Sequence, residues 1–283
     1  MTPLLLDGKE ASKALLEFLQ PLVETLDPKL VVVQVGDDPS SESYIKQKMK
    51  SCEKVGMRNE HRHLDASTSF EELMAVIDEL NKDDDVTGFF VQLPLPDQLN
   101  DRVPEIIKAI DPMKDIDGFG AYNLGKMFLG KEYEHLPPAT PSGIIRLLEH
   151  FDIEIAGKHV VVVGRSNTVG KPVAIMLLNR NATVTICHSK TKDLEDQIRK
   201  ADIVIAAVGK PKMITADMVK DGAVVVDVGI HRTEDGLCGD TDFKGLESKV
   251  SAISPVPGGV GPMTVASLIR NCVTAKERQM AIR

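Results

Sequence analysis

Short runs of branched apolar residues alternate with amphipathic patterns along most of this chain, and this alternation restricts the possible folds. The runs are LVVVQVG (30–36), VTGFFVQL (86–93), HVVVVG (159–164), DIVIAAVG (202–209) and AVVVDVGI (223–230). Strands that are apolar on both faces belong to parallel sheets covered by helices on both sides. The alternation therefore predicts an α/β protein.

Weaker patterns fill the spaces between these runs. Ser69 and Glu72 are spaced for a capping box at the start of one helix, and Thr140 and Pro141 for the first residues of another helix, which ends at His150. The remaining predicted helices cover 41–55, 100–110, 171–180, 193–200, 215–220 and a segment from 265 to the C-terminus, and two more strands are predicted at 58–64 and 182–188.

The length of 283 residues predicts two domains, because one domain commonly takes ~150 residues. The periodic pattern of apolar residues fades between 111 and 140, and we place the boundary between the two domains there. The regular strand–helix alternation that follows predicts a Rossmann-type second domain, and a Gly/Pro-rich loop at 255–264 comes after it.

The charge and cysteine content disfavour several classes of partner. The net charge is −8, so there is no basic field for nucleic acid or an anionic membrane surface. The four cysteines are widely spaced without a C-x-x-C pair, which is typical of a reducing compartment rather than of a zinc site or a disulfide framework. No apolar stretch approaches the ~20 residues of a membrane span, and the N-terminal leucine run is too short for a signal peptide. We expect a cytoplasmic protein.

The stretch VVVVGRSNTVGKPV follows a strand and opens a helix, as a dinucleotide site requires. Gly164 and Gly170 are present, but Arg165 and Ser166 stand where a second close glycine is usual, so a tight turn without a ligand is the alternative. The loop after the next strand, which contains Ser189, has no carboxylate before Asp193, whereas NAD-binding units usually place one close to the strand to bind the ribose. Arg165 and Ser189 instead suit a ribose phosphate, which favours NADP over NAD.

Tyr44 and Lys48 share one face of a predicted helix, with Lys46 on the opposite, solvent-facing side. The helix closely follows a strand, so its first turns lie at the carboxyl edge of the sheet, where α/β proteins bind ligands. Gln92 is a polar residue at the same edge, at the end of an apolar strand. The alternatives to a site are a surface pair for the first two residues and a core amide bonded to backbone for Gln92.

Two other polar groups have simple structural alternatives. The segment KDIDGF (114–119) places two carboxylates in a loop, where a turn with capping aspartates is the alternative to a site. His61 and His63 have no accompanying cysteine or carboxylate pattern, so we expect the exposed face of a strand there and no metal site.

Nine segments, in order and over nearly the whole chain, resemble the bifunctional methylenetetrahydrofolate dehydrogenase/methenyltetrahydrofolate cyclohydrolase family. They are VGDDPSSESYIKQKMKSCEKVGM, VQLPLP, DPMKDIDGF, TPSGI, VVVGRSNTVGKP, ATVTICHSKT, AVVVDVGI, GDTDF and PVPGGVGPMT. The resemblance implies NADP-dependent oxidation of 5,10-methylenetetrahydrofolate to the methenyl form, followed by hydrolysis to 10-formyltetrahydrofolate.

The resemblance also implies roles for single residues. Lys48 is the central catalytic residue, and Gln92 holds it. Tyr44 is expected to stack on the folate, and Asp117 to bind the pterin. The implied NADP contacts are Gly164, Arg165, Ser166, Ser189 and Ile230, and the remaining implied substrate contacts are Pro257, Gly258 and Gly259, in a loop expected at a cleft between the domains.

The family fold returns the C-terminal helix to the first domain. It implies a folate-binding domain of residues 1–139 and 265–283 and an NADP-binding domain of residues 140–264. Members of the family are usually homodimers.

The chemistry of these residue types agrees with the implied roles. A carboxylate such as Asp117 can accept two parallel hydrogen bonds from the ring N–H and amino group of a pterin. Free lysine titrates near ~10.4, so a lysine that acts as a base needs a lowered pKa. Gln92 can orient Lys48 without adding negative charge.

The chain departs from the family pattern at Ala139, Gly120-Ala121 and Thr241, none of which is a residue with an implied role. A dehydrogenase with little cyclohydrolase activity is the nearest alternative. A short-chain oxidoreductase would need its Tyr-x-x-x-Lys after the nucleotide unit, whereas here it comes before. A nucleotide-binding regulator would have no reason to keep Lys48, Gln92 and Asp117 together.

Overall fold

The computed structural model describes residues 2–234 and 236–282, apart from the side chains of Ser40 and Ile282. Its strands are β1 (Leu4–Leu5), β2 (Lys29–Val35), β3 (Arg58–Leu64), β4 (Gly88–Val91), β5 (His159–Val163), β6 (Thr183–Cys187), β7 (Ile203–Ala206), β8 (Val224–Asp227), β9 (His231–Thr233), β10 (Gly236–Cys238) and β11 (Ala252–Ile253). Its α-helices are α1 (Gly8–Leu26), α2 (Pro39–Lys54), α3 (Phe70–Lys82), α4 (Asp97–Asn100), α5 (Val103–Ala109), α6 (Ala121–Met127), α7 (Ala139–His150), α8 (Gly170–Leu178), α9 (Leu194–Arg199), α10 (Phe243–Leu246) and α11 (Val260–Ile282).

The described chain divides into two compact units. The three-stranded unit comprises residues 15–139 and 265–282, and the six-stranded unit comprises residues 2–14 and 140–264. The placement of residues 2–14 corrects the predicted boundary, which put them in the first domain. The reason is that β1 pairs in parallel with β11 and so becomes the edge strand of the larger sheet.

The three-stranded unit has the parallel strand order β3-β2-β4. Its central strand β2 is buried in six of its seven residues, as its continuous apolar run predicts. After β2 the chain turns into α2, whose first turn is capped by the side chain of Asp38, which accepts a hydrogen bond from the Ser41 N–H at 2.8 Å. The first turns of α2 therefore lie at the carboxyl edge of this sheet.

Strand β4 is shorter than the predicted 86–93, but the hydrogen bonds continue beyond its ends. The Thr87 N–H donates to the Lys29 carbonyl at 3.0 Å, and the Gln92 N–H donates to the Val33 carbonyl at 2.8 Å. Gln92 is thus fixed beside the end of β2, at the same edge as α2.

A glycine in β4 makes room for the segment that carries Asp117. The chain returns beside β4 through a single parallel bridge between Phe89 and Asp115. A Cβ atom on Gly88 would collide with the side chain of Ile116 and press on the Lys114 carbonyl. Glycine is therefore the residue that allows this close approach.

The six-stranded sheet is parallel throughout, in the order β1-β11-β8-β7-β5-β6. Strand β5 pairs with β6 on one side and with β7 on the other, so the strand order reverses at β5. Ligands of open α/β sheets bind at the carboxyl ends of the strands at such a reversal. The predicted Rossmann-type domain is confirmed, and its expected ligand edge is the loop after β5.

The capping box is confirmed, because Ser69 accepts from the Glu72 N–H and the Glu72 carboxylate accepts from the Ser69 N–H. The predicted cap at Thr140 is wrong: α7 begins one residue earlier, so Thr140 and Pro141 are its second and third residues. Proline is tolerated there because first-turn N–H groups have no partner within the helix.

Other predicted boundaries also differ. The predicted irregular stretch 111–140 contains α6. Within the predicted helix 100–110 only α5 is helical, apart from the last residue of α4, and 215–220 contains only one 3-10 turn, at Ala216–Met218. Helix α1 and the β9–β10 hairpin were not predicted. Helix α11 begins within the predicted loop 255–264.

We expect Gly88→Ala to lower the free energy of unfolding by about 1–3 kcal/mol, the usual cost of overpacking a filled interior. The matched control is Gly125→Ala within α6, where an added Cβ has nothing within 4 Å. There alanine should be neutral or favourable by up to about 1 kcal/mol. Urea denaturation of both variants measures the difference, and equal stability of the two would contradict this account of β4.

Candidate active site

Lys48 and Gln92 meet across the carboxyl edge of the three-stranded sheet. The Lys48 Nζ donates a hydrogen bond to the Gln92 Oε1 at 3.0 Å, and it lies 4.1 Å from the centroid of the Phe90 ring. The Gln92 Nε2 in turn donates to the Leu93 carbonyl at 2.7 Å, which fixes which end of the amide faces the lysine. The Lys48 amine is therefore held by a neutral amide and an aromatic face.

The surroundings of Lys48 favour its uncharged form. Burial lowers the pKa of Lys48, an effect that the Asp117 carboxylate and the Cys52 thiol oppose. The sequence pattern indicated only the neutral partner Gln92. The structure adds a carboxylate within electrostatic range, and burial outweighs it.

Asp117 is the second titratable group of this site. Burial raises the pKa of Asp117 to about 6, the Lys48 ammonium opposes this rise, and the carboxylate of Asp115 adds to it. Two groups with pKa values moved toward neutrality from opposite sides are a usual mark of a functional site.

Asp115 organises the loop on which Asp117 lies. Its carboxylate accepts hydrogen bonds from the Gly118 N–H at 3.0 Å, the Gly120 N–H at 2.8 Å and the Asn123 side-chain amide at 3.1 Å. A Cβ atom on Gly120 would lie 2.7 Å from the Asp115 Oδ2, so the glycine at this departure from the family pattern allows close contact. The alternative reading of the two carboxylates therefore holds for Asp115, which is a turn-capping aspartate.

Tyr44 lies one turn before Lys48 on α2, and its side chain is 42% exposed. Lys46 points to solvent, as predicted, and pairs with Glu42 at 3.2 Å. The structure therefore places Tyr44, Lys48, Gln92 and Asp117 in one unit, with an accessible aromatic ring beside a desolvated amine.

The loop after β5 has the features of a nucleotide site. Gly164 has a φ of 134°, and a Cβ there would collide with the Ala207 carbonyl in the loop after β7. The Ser166 Oγ accepts hydrogen bonds from the Val169 N–H at 3.1 Å and the Gly170 N–H at 3.2 Å. Helix α8 starts at that point, and its N-terminus favours negative charge.

The remaining predicted cofactor residues are accessible in the same unit. Arg165, Ser189 and Ile230 are all exposed, the first two on the loops after β5 and β6 and the third after β8. The loops after β5 and β6 lie at the reversal in strand order, and the loop after β8 follows a strand that β7 separates from β5. A guanidinium and hydroxyls at that edge fit a phosphorylated dinucleotide.

Two buried carboxylates that were not predicted from the sequence hold the loops of this unit. Asp240 accepts hydrogen bonds from the N–H groups of residues 208, 209 and 210, and from the His231 Nε2 at 2.7 Å. Asp227 accepts from the N–H groups of Gly229 and Asp240 and from the hydroxyl of Thr241. Thr241, a departure from the family pattern, thus makes a bond that valine could not make. Both carboxylates could have been noticed in the sequence, because each lies in one of the nine segments that resemble the family.

The glycines of the loop 255–259 are required by packing within the six-stranded unit. A Cβ on Gly259 would lie 2.6 Å from the Pro255 carbonyl, and a Cβ on Gly8 would collide with the Gly259 carbonyl. Gly258 has a φ of 111°, which favours glycine. The substrate contacts implied for Pro257, Gly258 and Gly259 stay predictions.

The described residues contain no cluster of three or more metal-ligating side chains. His61 contacts the Gln34 side chain at 2.9 Å, and His63 contacts the Gly36 carbonyl at 3.0 Å. Within the same described ranges, no helix is both long and apolar enough to cross a membrane.

Two family models match the chain. The model described as "Tetrahydrofolate dehydrogenase/cyclohydrolase, catalytic domain" matches residues 6–117. The model described as "Tetrahydrofolate dehydrogenase/cyclohydrolase, NAD(P)-binding domain" matches residues 138–280. Together they account for most of the sequence.

Known proteins are similar over the full length. "Bifunctional protein FolD" of Agathobacter rectalis is 50% identical, over 97% of this chain and 99% of the relative. The crystal structure of the bifunctional FolD enzyme of Campylobacter jejuni superposes with a TM-score of 0.93 at 45% identity, over 97% and 99% of the two chains. The Trypanosoma brucei enzyme, solved with NADP cofactor and an inhibitor, has a TM-score of 0.93 at 33% identity, over 99% of each chain.

We expect Asp240→Asn to loosen the loop after β7, because the asparagine amide turns its own donors toward backbone N–H groups. The amide hydrogens of residues 208–210 should exchange at least about tenfold faster, in line with the loss of hydrogen bonds to a charged group. Hydrogen-exchange mass spectrometry or NMR measures this. Asp242→Asn is the control, since the Asp242 carboxylate lies by Gly245. Unchanged protection in Asp240→Asn would contradict the assignment.

Proposed function

The chain belongs to the tetrahydrofolate dehydrogenase/cyclohydrolase family, and from this premise we propose that it converts 5,10-methylenetetrahydrofolate to 10-formyltetrahydrofolate in two steps. The first step oxidises the methylene group to the methenyl form with NADP, and the second hydrolyses the methenyl form. The observation that carries this proposal is the contact between Lys48 and the neutral Gln92 amide, in a unit that also contains the desolvated carboxylate of Asp117.

Lys48 acts in the hydrolytic step. With its pKa lowered by burial, the amine can take a proton from a water molecule that attacks the methenyl carbon. The cationic methenyl substrate further disfavours the protonated amine. Gln92 holds the Nζ in place without the negative charge that would stabilise the ammonium. The water attacks the same carbon that loses the hydride, so one site serves both steps.

Asp117 and Tyr44 bind the folate. The Asp117 carboxylate accepts two parallel hydrogen bonds from the ring N–H and the amino group of the pterin, a charge-assisted pairing. The exposed ring of Tyr44 stacks on the folate one helical turn away from Lys48. Binding the pterin requires Asp117 in its ionised form.

NADP, when bound, would supply the acceptor for the hydride that the methylene group loses in the first step. Gly164 and Ser166 suit its phosphates at the N-terminus of α8, while Arg165 and Ser189 suit the phosphate on its ribose. Ile230 offers an exposed apolar surface at the same edge. The residues Pro257, Gly258 and Gly259 contact the substrate, as the family resemblance implies.

We also propose that the protein is a cytoplasmic homodimer, as the family resemblance implies. A reducing compartment is supported by the cysteines of the described chain, which are all free. Size-exclusion chromatography with light scattering tests the oligomeric state directly.

The function is tested by following absorbance with 5,10-methylenetetrahydrofolate and NADP, and then the decay of the methenyl product. We expect NADPH formation, slower reaction with NAD, and enzyme-dependent decay of methenyltetrahydrofolate. A nucleotide-binding regulator would give no absorbance change, and a monofunctional dehydrogenase would leave the decay at its uncatalysed rate.

We expect Lys48→Met to lower the rate of methenyltetrahydrofolate hydrolysis by roughly 10²–10⁴-fold, the usual contribution of a general base. Methionine keeps an apolar stem of similar length, so the fold should survive. Lys46→Met is the matched control, because Lys46 lies in the same helix and is exposed. Full cyclohydrolase activity in Lys48→Met would refute the role of Lys48.

The pKa of Asp117 predicts an acid limb in the dehydrogenase reaction. Below about pH 6 the free protein carries a protonated Asp117, which loses the charged acceptor, so kcat/KM should fall there. Saturating substrate keeps Asp117 ionised, so kcat should change less over the same range. Because Asp115 raises the pKa of Asp117, Asp115→Asn should move the limb to lower pH. A limb that stays in place would contradict this coupling.

A further inference from the structure

Asn271 connects α11 to the loop that carries Asp117. Its side chain is 3% exposed, and its amide Nδ2 donates two hydrogen bonds, to the Ile116 carbonyl at 2.9 Å and to the Pro137 carbonyl at 2.8 Å. Both side-chain amide hydrogens are thus used on backbone oxygens at the two ends of the segment 116–137, which contains α6. A buried amide with this double contact is costly to lose, because both carbonyls would be left unsatisfied.

The two carbonyls frame the segment that leads into Asp117. The Ile116 carbonyl belongs to the peptide group that also contains the Asp117 N–H, so Asn271 fixes the peptide plane on one side of this residue. On the other side, the Asp115 carboxylate accepts the Gly118 N–H at 3.0 Å. The two contacts hold the backbone before and after Asp117.

The backbone of Leu136 and Pro137 packs against the turn that follows Asp117. Gly118 has a φ of 73°, and a Cβ there would lie 2.6 Å from both the Leu136 carbonyl and the Pro137 carbonyl carbon. The residues that follow Asp117 therefore touch the segment that Asn271 also holds. A shift of this segment would move the turn on which the Asp117 side chain is mounted.

We propose that Asn271 is a positioning residue for folate binding, which acts by setting the direction of the Asp117 carboxylate. The proposal rests on the proposed role of Asp117 in binding the pterin. Two parallel hydrogen bonds need a narrow range of carboxylate orientations, so a small rotation of the 116–117 peptide weakens substrate binding. Asparagine suits this position because it supplies two donors from one short side chain.

The test uses Asn271→Leu, which keeps the approximate volume and removes both donors. The KM for 5,10-methylenetetrahydrofolate and the KM for methenyltetrahydrofolate should both rise by about tenfold, the effect of a weakened charged hydrogen bond. The kcat values and the KM for NADP should stay close to those of the unsubstituted protein. Loss of folded protein alone would lower the apparent kcat and leave the KM values unchanged.

Gln279→Met is the matched control on the same helix. The Gln279 amide also donates to two backbone carbonyls, of Thr87 at 2.7 Å and of Met113 at 3.1 Å, but neither carbonyl belongs to a peptide group of Asp117. This variant should lose stability without a rise in the folate KM. An equal rise in both variants would mean that any loosening of α11 has this effect, and would overturn the proposal.

A double-mutant cycle separates this proposal from the proposed function. If Asn271 acts through Asp117, Asn271→Leu should raise the folate KM in the unsubstituted protein but not further in Asp117→Asn. The positioning role would be overturned if the two substitutions had multiplicative effects on the folate KM, or if Asn271→Leu alone had no effect on it. No effect of Asp117→Asn alone would instead overturn the role of Asp117. If Asn271→Leu fails to fold, Asn271→Ser, which keeps one donor, replaces it in the double-mutant cycle. Its effects on the folate KM, alone and combined with Asp117→Asn, are then interpreted in the same way.

Discussion

The contact between the Lys48 Nζ and the Gln92 Oε1 joins the two chemical requirements of this site. A lysine that takes a proton near neutral pH must lie where its charged form is poorly solvated, and it must still be held in one orientation. A carboxylate partner would meet the second requirement and defeat the first. The amide of Gln92 meets both, and the parallel order of β2 and β4 brings it to the same edge as α2.

Each unit uses a buried carboxylate to fix loops of its own. Asp115 accepts N–H groups of the turn that follows Asp117, and Asp240 accepts three successive N–H groups after β7. In each case glycines allow the close approach, at Gly120 and at Gly229. The carboxylates of the motifs shared with the family therefore have two kinds of role. Asp117 is expected to bind a ligand, whereas Asp115 and Asp240 accept hydrogen bonds from backbone N–H groups.

The sequence was sufficient to predict the parts that depend on local pattern. The buried strands, the capping box at Ser69 and the parallel pairing of β5, β6, β7 and β8 follow from apolar runs and side-chain spacing. Gln92 could be assigned to the sheet edge because it ends a buried strand, and Lys48 could be assigned to the same edge because its helix closely follows another such strand. Their hydrogen bond confirms that the two residues lie at the same edge of the sheet.

Interactions between distant segments could not be predicted in the same way. β1 is two residues long, and only its pairing with β11 places it in the six-stranded unit. Asn271 and the Ile116 carbonyl are 155 positions apart, and no local pattern marks a buried amide as a partner of a distant loop. The influence of Asp117 on Lys48 likewise depends on the bridge between Phe89 and Asp115.

The most direct test of the account is the pKa of Lys48 in the free protein. An NMR titration of the ¹⁵N-labelled lysine side chains, with the Lys48 resonance assigned by its loss in Lys48→Met, measures it. We expect a pKa below the ordinary 10.5, because burial outweighs the nearby carboxylate of Asp117. A value at or above 10.5 would mean that the carboxylate dominates, and would contradict the assignment of Lys48 as the base.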